Sequence, residues 1–202
     1  MQQLLRTCLG LAASLALGVA HATPLDVGDY VLGSELATVD SFAATLSSSS
    51  AGMATLAFQL VGFSSLDGYD DCCSDILHVS LNGAEVFAGS FNLGGGGVNT
   101  ITFNPNHATA VATTNGATGD VHASSDITWL GGTAVISLPF ALQAGVNTFR
   151  FSYSGADQGL ADEGWGVSQL EAVTAPVPEP QTYALLLAGL GVGGFVMRTR
   201  RR

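Results

Sequence analysis

The stretch Asp75–Phe91, DILHVSLNGAEVFAGSF, limits this chain more than any other. Leu77, Val79 and Leu81 alternate with Ile76, His78 and Ser80, the period-two pattern of a strand with one face in a core. Asn82-Gly83 follows, the pair best suited to the two positive-φ positions of a type I′ turn, and Glu85–Phe91 returns. A sequence that commits to a tight hairpin here needs partner strands to cover the apolar face.

Those partners are legible along the chain. Met53–Phe63 places Leu56, Phe58 and Leu60 on one side. Asn99–Phe103, Asp126–Leu130, Thr133–Leu142, Asn147–Tyr153 and Trp165–Val173 read as further strands. Asn104–Asp126 is polar and rich in turn residues, and is expected to be a long loop. GVNTITF at Gly97–Phe103 echoes GVNTFRF at Gly145–Phe151, a turn-then-strand unit expected once in each half of a two-sheet structure. No sustained helical period interrupts the series. The expectation is an all-β, antiparallel sandwich or jelly roll over residues 23–174.

The two ends are built differently. Residues 1–22 combine Arg6, an apolar stretch from Leu9 to Val19 and small residues at Ala20 and Ala22, as in a secretory signal peptide cut after Ala22. Cys8 precedes the apolar stretch, which argues against a lipoprotein signal. Residues 175–202 begin Pro-rich and extended, and continue as an uncharged run, Tyr183–Met197. They end in a basic cluster of Arg198, Arg200, Arg201 and Arg202. As a helix that run spans about 22 Å, short of a roughly 30 Å hydrocarbon core. Snorkelling arginines and local thinning reduce the mismatch, and the arginines predict a cytoplasmic C-terminus.

Pro178-Glu179-Pro180, the Leu/Gly-rich run and the arginines, in that order at the extreme C-terminus, resemble the PEP-CTERM sorting segment of Gram-negative exported proteins. The resemblance implies recognition at the inner membrane by an exosortase and processing near the Pro-Glu-Pro motif. The protein would then pass from a tail-anchored intermediate to the cell surface or extracellular polysaccharide matrix.

Charge narrows the partners. From Thr23 to Glu179 the chain holds all sixteen of its acidic residues and one basic residue, Arg150, a formal charge of −15; it has no lysine. Nucleic acid and anionic membrane surfaces are therefore poor partners of the domain, because phosphate contacts require Lys and Arg, and the acidity also serves simply to keep an extracellular protein soluble. Divalent cations are favoured. Asp67, Asp70, Asp71 and Asp75 precede the hairpin, while Asp157, Asp162 and Glu163 precede the Trp165 strand. Gathered carboxylates repel one another unless they are solvated or share a hard cation such as Ca²⁺. The spacing is not that of an EF-hand.

The D-x-L-x-V-x-L-N-G hairpin and the D-E-x-W-G-V strand resemble secreted jelly-roll domains of the carbohydrate-binding-module and proprotein-convertase P type. Several of those hold calcium where the first and last strands meet. The resemblance implies a structural Ca²⁺ held by Asp71, Asp75, Asp162 and Glu163, with solvated acidic loops as the other reading.

Cys72 and Cys73 are the thiols left once the signal peptide is removed, and the periplasm would oxidise them. A vicinal disulfide is the favoured outcome; an intermolecular link and a soft-metal pair remain as alternatives, and no C-x-x-C redox spacing appears. His78 is placed on an outward strand face, with His107 and His122 in the long loop. Neither H-E-x-x-H, G-x-S-x-G nor a P-loop is present, and Asn92–Thr100 is Gly-rich but leads into a strand, without the helix N-terminus that binds phosphate. Trp129 and Trp165 suit either sugar stacking or a core. The composite expectation is a non-enzymatic exported protein of structural or adhesive type. The alternative is a Ca²⁺-dependent carbohydrate-binding module or, more remotely, a glycan-active enzyme.

Overall fold

The computed structural model describes residues 21–114, 130–174 and 186–190. His21–Ala175 forms one compact unit, and residues 186–190 belong to a second. The first contains ten strands: β1 (Ala22–Pro24), β2 (Ser41–Ser48), β3 (Gly52–Ser64), β4 (Ile76–Leu81), β5 (Ala84–Ser90), β6 (Thr100–Phe103), β7 (Thr109–Thr114), β8 (Leu130–Leu142), β9 (Gly145–Ser154) and β10 (Glu163–Thr174). They form two five-stranded sheets, ordered β1-β10-β3-β8-β7 and β2-β9-β4-β5-β6. Every named strand pair is antiparallel. The chain is an all-β sandwich of jelly-roll type, as the alternation predicted.

The alternating residues make the core. Leu56, Phe58 and Leu60 of β3 and Ile136, Leu138 and Phe140 of β8 are buried on one sheet. Leu77 and Val79 of β4 and Phe149 and Phe151 of β9 meet them from the other. An aromatic stack ties the layers together: Phe42 lies on Phe151 at 4.7 Å between ring centroids and on Tyr30 at 4.0 Å, and Phe151 meets the edge of Phe58 at 5.2 Å. Offset and edge-on geometries of this kind add stability beyond the buried area.

The β4–β5 turn is built as its sequence dictates. Asn82 and Gly83 have φ of 51° and 86°, the two left-handed residues of a type I′ turn. A Cβ at Gly83 would meet nothing within 4 Å, so Gly83→Ala isolates backbone strain. It is expected to lower stability by about 1 kcal/mol, read as a lower urea midpoint at unchanged slope.

Two expectations need correction, and one strand has no counterpart among them. Asn104–Asp126 is not one long loop, because Thr109–Thr114 pairs with β8 as an edge strand; its inward residues are Ala110 and Ala112, too small to announce an apolar face. Strand β2 escaped the sequence reading for the same reason, with Ala44 between Phe42 and Leu46 on its buried face. The two GVNT units also lie in one sheet rather than one in each, β9 in its interior and β6 at its edge. What they share is an asparagine that closes a loop. Asn147 accepts from Gln143 N–H at 2.9 Å and donates to its carbonyl at 2.8 Å, while Asn99 accepts from Asn92 N–H at 2.8 Å.

Of the strand expected at Asp126–Leu130, Leu130 opens β8 and the rest lies outside the described residues, as do Trp129 and His122. In the tail, Leu186–Leu190 is helical; Pro178, Glu179, Pro180 and the terminal arginines lie outside the described residues. Among the described residues no helix is long and apolar enough to cross a membrane.

Candidate metal centre

At one pole of the sandwich three segments converge on a carboxylate cluster. Antiparallel pairing puts Glu163, the first residue of β10, opposite Ser64, the last of β3. The next segment of chain, residues 65–75, folds back on itself before β4. Asp67 N–H donates to Asp75 Oδ2 at 2.9 Å, and Asp75 N–H returns a bond to the Asp67 carbonyl at 3.0 Å. This double tie pinches the loop and brings Asp67 and Asp75 beside Glu163. One carboxylate oxygen from each of the three lies within 4.8 Å of the other two. Oxygens at 2.3–2.6 Å around a Ca²⁺ ion span up to about 5 Å, so the cluster has the dimensions to hold a metal ion.

Its electrostatics are unbalanced. Asp75 and Glu163 are each 1% exposed. One oxygen of each is satisfied, Asp75 Oδ2 by the Asp67 amide and Glu163 Oε1 by the Gln158 side-chain amide. Asp75 Oδ1 and Glu163 Oε2 are buried and, with both carboxyls ionised, have no hydrogen-bond partner; a proton on either carboxyl would pair the two side chains. Burial pushes the Glu163 carboxyl up to about 7, and the neighbouring Asp75 charge adds to the rise. Burial likewise lifts Asp75 to about 6, against the bond from the Asp67 backbone. The Tyr153 hydroxyl, also buried and unpartnered, is raised well above its ordinary value by burial and then by Asp75. Orphaned buried carboxylate oxygens are costly unless something positive or a proton sits between them.

Glycines make the close approach possible. A Cβ at Gly95 would land on Asp67 Oδ1, one at Gly96 on Asp71 Oδ2, and one at Gly155 on Asp75 Oδ1. The run Gly94–Gly97 is therefore a cradle for the acidic loop, a role the sequence reading did not assign to it. Local signal was present in four consecutive glycines ahead of a strand, but which carboxylates they would face depends on the fold.

Of the four residues expected to hold the cation, Asp75 and Glu163 enter the cluster directly, joined by Asp67. Asp71 and Asp162 line the open cleft of about 240 Å³ above it, together with Ser65, Cys72, Cys73, Gly94, Gly95 and Gln158. Asp71 Oδ1 accepts from the Cys72 amide at 2.6 Å. Ser65 donates through its amide and its hydroxyl to the Asp162 carbonyl, at 3.1 and 2.9 Å. Cys72 and Cys73 are free thiols with sulfurs 2.7 Å apart. The hydrogen bond to Cys73 leads the causes that push Cys72 up to about 12. Trp165 is fully buried and donates from Nε1 to the Ala37 carbonyl at 2.8 Å, so it belongs to the core and has no face free to stack on a sugar.

No curated protein matches the chain. Among solved structures, a family 35 carbohydrate-binding module from an environmental isolate is similar at 18% identity, over 82% of this chain and 96% of that one, with a TM-score of 0.31. A score that low lends nothing to the assignment of fold or function. The C-terminal residues give a specific match: over 176–202 the chain carries the PEP-CTERM protein-sorting motif, which marks it as an exported protein.

Proposed function

We propose that this is a structural or adhesive protein of the cell surface or extracellular polysaccharide matrix, delivered through an exosortase-processed tail and braced by a structural Ca²⁺. Domain boundaries at residues 22/23 and 174/175 fit that reading, with a signal peptide before and the sorting segment after the sandwich. The observation that supports the cation is the pair of orphaned oxygens on Asp75 and Glu163, each on a residue 1% exposed and both in a cluster of calcium dimensions. Ca²⁺ would take Asp67, Asp75 and Glu163 directly and draw further oxygens from Asp71, Asp162 or water in the cleft above, since it favours six to eight. It neutralises carboxylates that otherwise repel, and so fixes the loops at this pole. A vicinal Cys72–Cys73 disulfide, formed after export, would stiffen the same loop.

Delivery is tested in the native host. The mature protein is expected to have lost the arginine cluster and to be recovered with surface polysaccharide. Replacing Pro178, Glu179 and Pro180 by alanine should leave the tail in place and hold the protein in the inner membrane. Intact Arg202 on the mature, surface-located protein would sink the reading.

A further inference from the structure

The outer face of the β2-β9-β4-β5-β6 sheet carries a second arrangement, made by residues outside the cation cluster. His78 stands on β4 with its ring between two polar groups. Nδ1 lies 2.6 Å from Glu85 Oε1 on β5, and Nε2 lies 2.7 Å from Ser154 Oγ, at the end of β9. Pairing fixes this geometry: His78 is opposite Ala88 on one side and Ser152 on the other, so Glu85 and Ser154 reach it diagonally. An ionised carboxylate only accepts hydrogen bonds, so the Glu85 contact requires the proton on Nδ1. In the neutral ring that leaves Nε2 as the acceptor for the Ser154 hydroxyl. Nucleophile, base and orienting carboxylate are thus connected in order, the relation that defines a serine triad irrespective of sequence order.

A third element lies on the same face. Arg150, the sole basic residue between Thr23 and Glu179, is on β9 four residues before Ser154, so the two share a face. Its Nη2 donates to Ser41 Oγ at 2.6 Å, and Ser41 pairs with Ser152, the residue between Arg150 and Ser154 on that face. The domain's one arginine therefore shares the outer face with Ser154, but its guanidinium is anchored to β2, on the side of β9 away from His78.

We propose that Ser154 is a nucleophile for acyl transfer from esters, with His78 as general base and Glu85 as its positioning residue. Ser154 Oγ forms a bond to the ester carbonyl carbon as its proton passes to His78 Nε2. The carbon–alkoxy bond then breaks, and the departing alcohol oxygen takes that proton. Water attacks the acyl-serine by the same route in reverse roles, releasing the carboxylic acid and restoring Ser154. Ser154 and Glu85 are exposed on an open sheet face. That openness fits an ester group displayed on a polymer better than a small molecule needing enclosure. This activity goes beyond the structural reading above and stands or falls separately from it.

The test is covalent labelling of the full chain with a fluorophosphonate probe, followed by peptide mapping. The adduct is expected on Ser154, absent in Ser154→Ala, and formed at least about 10-fold more slowly in His78→Gln, in line with the usual contribution of a general base. Glu85→Gln is expected to slow labelling several-fold and to abolish the low-field Nδ1 proton resonance of His78, at an unchanged melting temperature. All three substitutions are on the outer face, so each variant's melt checks that it folds. The proposal is overturned if Ser154 takes no label, if His78→Gln labels as fast as the parent, or if Ser41, Ser80 and Ser152 label at the same rate as Ser154.

Discussion

Adding Ca²⁺ at about one hundred times its dissociation constant to the chelator-treated chain near neutral pH is expected to raise the melting temperature by roughly 5–10 °C, from the ~2.7 kcal/mol of mass action at that excess. At about pH 4.5 the rise should nearly vanish, because protonated carboxyls do not ligate and binding must displace their protons. The metal-free chain supplies an independent check through its own pH dependence. Asp75 and Glu163 are raised in the folded state to about 6 and about 7, from ordinary values of 3.8 and 4.5. Between those limits the folded chain binds more protons than the unfolded one, so stability falls as pH rises. Stability from this source is fully present below about pH 4 and is lost as pH rises through about 6 to 7. Ca²⁺ should reverse that decline at neutral pH. Glu163→Gln removes one of the two buried charges, so it should stabilise the metal-free chain at neutral pH while erasing most of the Ca²⁺ shift. A Ca²⁺ shift that survives Glu163→Gln undiminished would place the cation elsewhere.

The cluster also shows where sequence reasoning reaches its limit. Asp75 and Glu163 stand next to strands whose alternation is plain, so their approach to one another was legible once a sandwich was assumed. Asp67 against Asp71 was not. Both sit in the same acidic loop, and the choice is made by the reciprocal bonds between Asp67 and Asp75, which fold the loop so that Asp71 faces Gly96 instead. A loop's path is set by such ties and by the Gly94–Gly97 cradle, and neither has a period to detect. The fold was more open to reading because Leu, Phe and Ile alternate in β3, β4, β8 and β9. It failed at β2 and β7, where Ala and Thr weaken the contrast between faces. The sorting motif was legible because its signal is linear, needing order and composition and no fold.

Trp165→Ala is expected to produce the largest loss of stability of any single substitution in the sandwich, about 3–5 kcal/mol, and a fall in melting temperature of roughly 10 °C or more. The ring is fully buried, 5.1 Å from Tyr153 and 5.9 Å from Phe42 between centroids, so its removal opens a cavity beside the aromatic stack. Its Nε1–H also holds the Ala37 carbonyl, and its backbone exchanges hydrogen bonds with Leu36 at 2.7 and 2.8 Å, anchoring the segment ahead of β2. Trp165→Phe separates the two contributions, since it keeps most of the apolar volume and loses the donor; a cost of about 1–2 kcal/mol is expected. Because Trp165 lies two residues from Glu163, the alanine variant should also weaken any Ca²⁺ shift, whereas an exposed aromatic far from the cluster, such as Phe103 on the edge strand β6, can be truncated without either effect. A Trp165→Ala chain that melts within about 2 °C of the parent would show that the buried ring contributes little, against the usual cost of a core cavity. If instead it unfolds as expected, loss of polysaccharide retention in that variant reports the missing core and says nothing of sugar stacking.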